Sequence, residues 1–219
     1  MLHAHDDPLS SDPYAALSDS LRALAMRGVV RLHPKGTLLI HEGDDGGSLF
    51  IILSGSLRAF GTGSNGREIT YGTYHAGDYV GEMSLDGGPR SASVATLEPS
   101  RCVLVTRETL RQHFAAHPDF AFELLERVIR RARAATLTVK QLALSDVYDR
   151  LVQLLEGLAE TQPDGTGLIR EPLTQQEIAN RLGCSREMVS RLVRDLRTGG
   201  YLDVSGRLHR LIRKLPRRW

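Results

Sequence analysis

The chain has 219 residues, 41% apolar and 25% charged, with 28 Lys and Arg against 26 Asp and Glu for a formal charge of +2. That length gives room for two ordinary cores, and that polarity excludes a chain made of membrane spans. Two cysteines, Cys102 and Cys184, stand far apart; this excludes a disulfide framework and the close cysteine pairs of a zinc or iron–sulfur site, and it fits a reducing cytoplasm.

Residues 1–20 form an extension carrying Asp6, Asp7, Asp12 and Asp19 beside His3, His5, Pro8 and Pro13. No basic start leads into an apolar run, so no export signal is read there and a cytoplasmic location is expected. Tyr14 to Arg27 predicts a short helix. From about Val30 to Val105 short β-like runs (Thr37–Ile40, Leu49–Leu53, Cys102–Val105) alternate with glycine-bearing turns at Gly36, Gly43, Gly55, Gly66 and Gly77. That punctuation predicts a compact all-β domain, closed as a jelly roll, over residues 21–117.

The next segment, 118–145, contains neither Gly nor Pro after Pro118, and Ala121, Leu125, Val128, Ala132, Ala135, Val139 and Leu142 recur at spacings of four and three. A rod of roughly 40 Å is longer than a small β domain needs as cover, so the seam is expected to pair with its copy in a homodimer. The alternative is a long helix packed on its own domain. Val147 to Ala159 predicts another helix, stopped by the Pro- and Gly-bearing loop Thr161 to Gly167. With residues 146–219 as a further domain, the predicted class is α+β.

Leu173 to Leu196 meets several local requirements in register. Thr174 and Glu177 form a capping box that starts a helix with Ile178, Ala179 and Leu182 on its buried face. Gly183 permits the tight turn, Ser185 caps the next helix, and Met188, Val189, Leu192, Val193 and Leu196 supply its core face. This is a helix-turn-helix. The other face of its second helix presents Arg186, Glu187, Ser190, Arg191 and Arg194. Arginine recognises guanine O6 and N7, and glutamate accepts from cytosine N4, so the face suits a G·C-containing half-site. Thr174, Gln175 and Ser185 join Arg186, Glu187, Ser190 and Arg191 as expected DNA contacts. Tyr201 to Val204, the turn Ser205-Gly206 and Leu208 to Ile212 predict a wing, and Arg207, Arg210, Arg213 and Lys214 make this end polyanion-facing.

Between strands, Gly81-Glu-Met-Ser-Leu-Asp-Gly-Gly-Pro-Arg-Ser-Ala92 combines a short helix start with one Glu and one Arg. Arg90 can grip a phosphate in bidentate fashion, the Ser91 hydroxyl and Ala92 N–H can donate to it, and Glu82 can accept from a ribose hydroxyl. Gly81, Glu82, Met83, Ser84, Arg90, Ser91 and Ala92 are therefore the candidate ligand cradle; a plain Glu82–Arg90 ion pair is the alternative.

Together, Gly81-Glu-Met-Ser-Leu with Pro89-Arg-Ser-Ala92, the central helix, Leu173-Thr-Gln-Gln-Glu-Ile and Gly183-Cys-Ser-Arg-Glu-Met-Val-Ser-Arg191 resemble the cyclic AMP receptor protein family (CRP/FNR) from about Leu21 to Ile212. The resemblance implies a transcription regulator, not an enzyme. Its effector would be cyclic AMP or cyclic di-GMP, with Glu82 on the ribose 2′-hydroxyl and Arg90 and Ser91 on the phosphate. It implies base reading by Arg186, Glu187 and Arg191 at palindromic double-stranded DNA with TGTGA-like half-sites, and RNA polymerase as a partner. It departs at the central helix, where a Thr-Ser pair that contacts adenine aligns with Ala135-Thr136. One adenine contact is lost, and Thr136 and Thr138 are the candidates to compensate for it. A nucleotide-independent regulator, a ligand-binding module and a phosphodiester hydrolase are the alternatives. The hydrolase lacks paired carboxylates or a metal cluster beside Arg90, and no metal site and no catalytic residue is expected. An iron–sulfur sensor lacks N-terminal cysteines, and His33, His41, His75, His113 and His117 are read as ordinary solvated or structural histidines rather than haem ligands.

Overall fold

The computed structural model describes residues 12–144 and 146–216, with backbone alone for 140–144, so the side chain of Leu142 lies outside the described residues. In chain order the elements are α1 (Asp19–Ala25), β1 (Val29–His33), β2 (Leu38–Ile40), β3 (Ser48–Ser54), β4 (Ser56–Thr62), β5 (Glu68–His75), β6 (Tyr79–Val80), a 3-10 turn at Glu82–Ser84, β7 (Ser93–Thr96) and β8 (Ser100–Thr106). There follow α2 (Arg107–Ala116), α3 (Asp119–Leu144), α4 (Val147–Leu158), β9 (Glu160–Thr161), β10 (Gly167–Ile169), α5 (Gln175–Leu182), α6 (Arg186–Thr198), β11 (Leu202–Ser205) and β12 (Leu208–Leu211). Contacts divide the chain into Met1–Gly61 with Gly72–Arg130, and Thr62–Tyr71 with Arg131–Trp219.

The first unit is built on two antiparallel four-stranded sheets, ordered β1-β8-β3-β6 and β2-β7-β4-β5. The apolar run of β3 is buried on both faces, which is why its sequence does not alternate. Leu49, Ile51 and Leu53 pack with Leu21 and Leu24 of α1, Leu110 of α2 and Phe120 of α3, while Ile52 packs with Leu57, Val80, Val94 and Cys102 inside the roll. Strand β8 divides likewise, with Val103 and Val105 toward the helices and Cys102 toward the roll. Helix α2, which hydrophobic patterning passed over, starts where Thr106 accepts from the Thr109 N–H at 3.2 Å. It covers the sheet with Leu110 and His113.

In the second unit a single apolar cluster joins Leu151 and Leu155 of α4, Ile178 and Ala179 of α5, Val189, Val193 and Leu196 of α6, and Leu202 and Leu211 of the wing. The stretch read as a plain loop, Thr161 to Gly167, connects two short strands. Its second strand, β10, pairs with β12 and gives the wing sheet the order β11-β12-β10-β9. Two-residue and three-residue strands carry no alternation to read, so only the paired wing reveals them.

Candidate functional site

The cradle between β6 and β7 is held in place by the loop that precedes β3. Arg90 N–H donates to the Asp44 carbonyl at 2.8 Å, Gly43 N–H donates to the Arg90 carbonyl at 2.9 Å, and Asp45 bridges Pro89. Close packing makes glycine obligatory at two places. A Cβ on Gly46 would stand 2.2 Å from the Ser84 side chain, and one on Gly81, whose φ is +95°, would stand 2.7 Å from Arg90 Nη1 and 2.8 Å from the Ser48 carbonyl. Sequence reading missed this loop as part of the site, although Glu42-Gly-Asp44 was legible as a turn.

Arg90 is only 7% exposed, and its guanidinium points inward. Nη1 donates to the Gly81 carbonyl at 2.9 Å and to Ser84 Oγ at 2.9 Å; Nη2 donates to the Ser48 carbonyl at 2.9 Å and to Ser48 Oγ at 3.0 Å. Neither Nη group is therefore open as the bidentate fork expected from the sequence. The four Nη hydrogen bonds of Arg90 go to Gly81, Ser84 and Ser48. The buried Glu82 acts on it by charge, and burial lowers the arginine's pKa while Glu82 and Asp44 pull it back up. An arginine remains protonated through such a shift, so the buried cation keeps its demand for an anion. At the outer side Met83 and Ser91 are exposed, with Ser91 Oγ donating to Met83 Sδ at 3.7 Å, and Ala92 is half-buried. Thr136 lies on α3 and spends its hydroxyl on the Ala132 carbonyl at 3.0 Å.

Along α3 the exposed stripe differs from the predicted seam. Leu125 is 52% and Val139 65% exposed, with Ala132 and Ala135 exposed too, but Val128 is half-buried. Phe122 and Ile129, left out of the heptad reading, are 69% and 41% exposed. The exposed set Phe122, Leu125, Ile129, Ala132, Thr136, Val139 keeps spacings of three and four. The reason is local: Phe120 and Leu124 face the core of the roll, and Val128, one turn beyond Leu124, shares their side of the helix.

The helix-turn-helix is assembled as its sequence requires. Thr174 Oγ1 accepts from the Glu177 N–H at 3.1 Å, and the Glu177 carboxylate accepts from the Thr174 N–H at 2.5 Å. Gly183 turns with φ +66°, and Ser185 Oγ accepts from the Met188 N–H at 3.2 Å to start α6. Arg150 Nε donates to the Leu182 carbonyl at 3.2 Å, placing a cation at the α5 C-terminus. Gln175, Arg186, Glu187, Ser190, Arg191 and Arg194 line one open concavity. Met188, expected in the core, is 36% exposed instead, because Val189 and Val193 already fill the face toward α5. A second concavity joins Thr174, Gln175 and Arg186 to Val204, Gly206, Arg207 and His209. Arg207 therefore lines one concavity with three of the residues expected at DNA, and its basic run at the wing was the signal for it.

Among the described residues no group of three or more His, Cys, Asp or Glu gathers as for a metal ion, and no helix is long and apolar enough to cross a membrane.

A family model for the cyclic nucleotide-binding domain matches residues 30–117, and one for the Crp-like helix-turn-helix domain matches residues 149–217. Together with the roll and the winged reader they define the class: a transcription regulator that joins a cyclic nucleotide-binding domain to a DNA-binding helix-turn-helix, not an enzyme. The chain is 33% identical over 178 residues to the CRP-like cAMP-activated global transcriptional regulator of Mycobacterium tuberculosis, covering 80% of each. It is 30% identical over 185 residues to the cAMP-activated global transcriptional regulator CRP of Salmonella typhimurium, covering 81% of this chain and 87% of that one. Among solved structures it resembles the c-di-GMP responsive global regulator CLP of Xanthomonas campestris, with a TM-score of 0.78 at 26% identity over 88% of this chain and 97% of that one. The chain belongs to the CRP/FNR family.

Proposed function

We propose that the chain is a homodimeric, sequence-specific transcription regulator whose DNA affinity is set by cyclic AMP bound in the roll. The observation that carries this reading is the cradle: a buried guanidinium at Arg90 with the Glu82 carboxylate beside it, one cation for a phosphodiester and one acceptor for a ribose hydroxyl. The residues fit such an effector. Exposed Ser91 and the Ala92 N–H are the further donors for the same phosphate in this reading, with Thr136 for the base. The relative from Mycobacterium tuberculosis, named as cAMP-activated, supports the choice.

The exposed stripe of α3 pairs with its copy, and the two α6 helices read half-sites of a palindrome through Arg186, Glu187, Ser190 and Arg191, with Thr174, Gln175 and Ser185 positioning them. Half-sites one turn apart require recognition helices roughly 34 Å apart. An effector works by binding the competent spacing more tightly than the other. TGTGA-like half-sites and RNA polymerase follow from the family resemblance as target and partner.

Cyclic di-GMP is the second reading. Alanine at position 135 removes one adenine contact, and a structural neighbour is named as c-di-GMP responsive. Calorimetric titration of the purified chain with cyclic AMP, cyclic GMP and cyclic di-GMP, followed by anisotropy on a palindromic duplex, tests both. Cyclic AMP binding that raises DNA affinity is expected, and Arg90→Leu is expected to lose the stimulation while keeping the salt-sensitive background. DNA affinity unmoved by any nucleotide would leave the nucleotide-independent regulator.

A further inference from the structure

Arg90 is the deepest cation of the cradle, and its donors are already spoken for. Of the five N–H bonds of a guanidinium, the four on the Nη atoms go to Gly81, Ser84 and Ser48, which leaves Nε–H without an acceptor among the described residues. Two of the acceptors are main-chain carbonyls fixed by the fold. The other two are hydroxyls, and these differ. Ser84 Oγ passes its own proton to the Gly81 carbonyl at 3.2 Å, which aims its lone pair at Nη1. Among the described residues Ser48 Oγ forms no hydrogen bond other than the one from Nη2, so no second partner there orients it. Its carbonyl holds the same nitrogen, so one residue outside the Gly81 to Ala92 loop controls half of the fork, a quarter of it through the side chain. Gly81 is shaped to this arrangement, because any side chain there would meet both Nη1 and the Ser48 carbonyl.

We propose that Ser48 is an affinity-setting residue for the effector, its hydroxyl occupying the Nη2 proton of Arg90 that a phosphate needs, beside the open Nε–H, for a bidentate grip. The inference rests on the reading of the roll as a site for a cyclic nucleotide. A phosphate oxygen is a charged acceptor and outcompetes a neutral hydroxyl for a guanidinium proton. The displaced Ser48 hydroxyl rotates away, whereas the carbonyls cannot follow. The ligand-free chain therefore keeps its buried cation satisfied by an internal latch, and the free energy of breaking that latch is subtracted from effector binding. Ser48 acts through Arg90 and is a positioning residue.

Two measurements on the full chain test this. In arginine side-chain NMR of the ligand-free protein, with the Arg90 signal assigned by its loss in Arg90→Lys, the Nη protons are expected to exchange slowly in wild type and faster in Ser48→Ala. In calorimetry with cyclic AMP and cyclic di-GMP, Ser48→Ala is expected to bind the effector about tenfold more tightly, on the order of 1.4 kcal/mol. Nη protons already in fast exchange in wild type overturn the latch whatever the ligand. Affinity unchanged or weakened in Ser48→Ala, with the wild type binding normally, overturns the affinity role alone. Failure of both chains to bind either nucleotide overturns the affinity role together with the effector reading, and the NMR result then separates the two.

Discussion

Arg186 and the buried histidines show how much a single side chain decides in this protein. Arg186 stands exposed in the first turn of α6, in the concavity shared with Glu187 and Arg191, the position from which the proposed reader would make a bidentate contact to guanine. Arg186→Ala is expected to lower specific DNA affinity by about 1–3 kcal/mol and leave random-sequence binding nearly unchanged, as read by competition anisotropy at fixed salt. His113 and His209 act on stability instead. His113 is fully buried against His117 and Phe120, at centroid distances of 4.5 and 5.1 Å, with neither ring nitrogen in hydrogen-bonding geometry. Burial lowers its pKa, and His117 and Arg27 lower it further, against an opposing contribution from the Ser20 backbone. Burial lowers that of His209 too, opposed by its hydrogen bond to the Arg207 carbonyl. Each is therefore harder to protonate in the folded chain than in the unfolded one, which takes up protons near the ordinary value of 6.5. Their contribution to stability is thus complete above that pH and is lost as the pH falls through it toward the lowered folded values. Thermal unfolding followed from pH 7.5 to 5.5 should show a falling midpoint, with a shallower slope in His113→Leu; an equal slope would show that other groups dominate.

At the scale of elements, the DNA reader depends on its two helix starts and the turn between them. Thr174→Ala deletes the acceptor for the Glu177 N–H and is expected to destabilise α5 by about 1 kcal/mol. Gly183→Ala forces a Cβ into the left-handed region at φ +66° and should cost about as much. Hydrogen exchange of the α5 and α6 amides reads both losses locally, without assuming that the whole chain unfolds in one step. These devices were legible in the sequence because each is complete within a few residues. The start of α2 at Thr106 and the strands β9 and β10 were not. Helix α2 carries only two buried side chains, Leu110 and His113, and β9 and β10 are too short to repeat a pattern.

For the whole molecule, the exposed stripe on α3 is the surface proposed to pair with its copy. Leu125→Glu with Ile129→Glu puts charge on a stripe that the proposed dimer buries, and sedimentation is expected to show a monomer that has lost affinity for the palindrome. A variant that still sediments as a dimer would place the interface elsewhere. The helix-turn-helix, the long helix and the cradle motif could be read from the chain alone, because caps, glycine turns and three-four spacing are imposed by neighbours along it. Only the tertiary structure decided which face of α3 stays free, since Phe120 and Leu124 turn Val128 toward the roll and leave Phe122 and Ile129 outside. It alone gave Arg90 its partners as well: Ser48 lies 42 residues away, and a hydrogen bond across packed loops leaves no periodic mark in the chain.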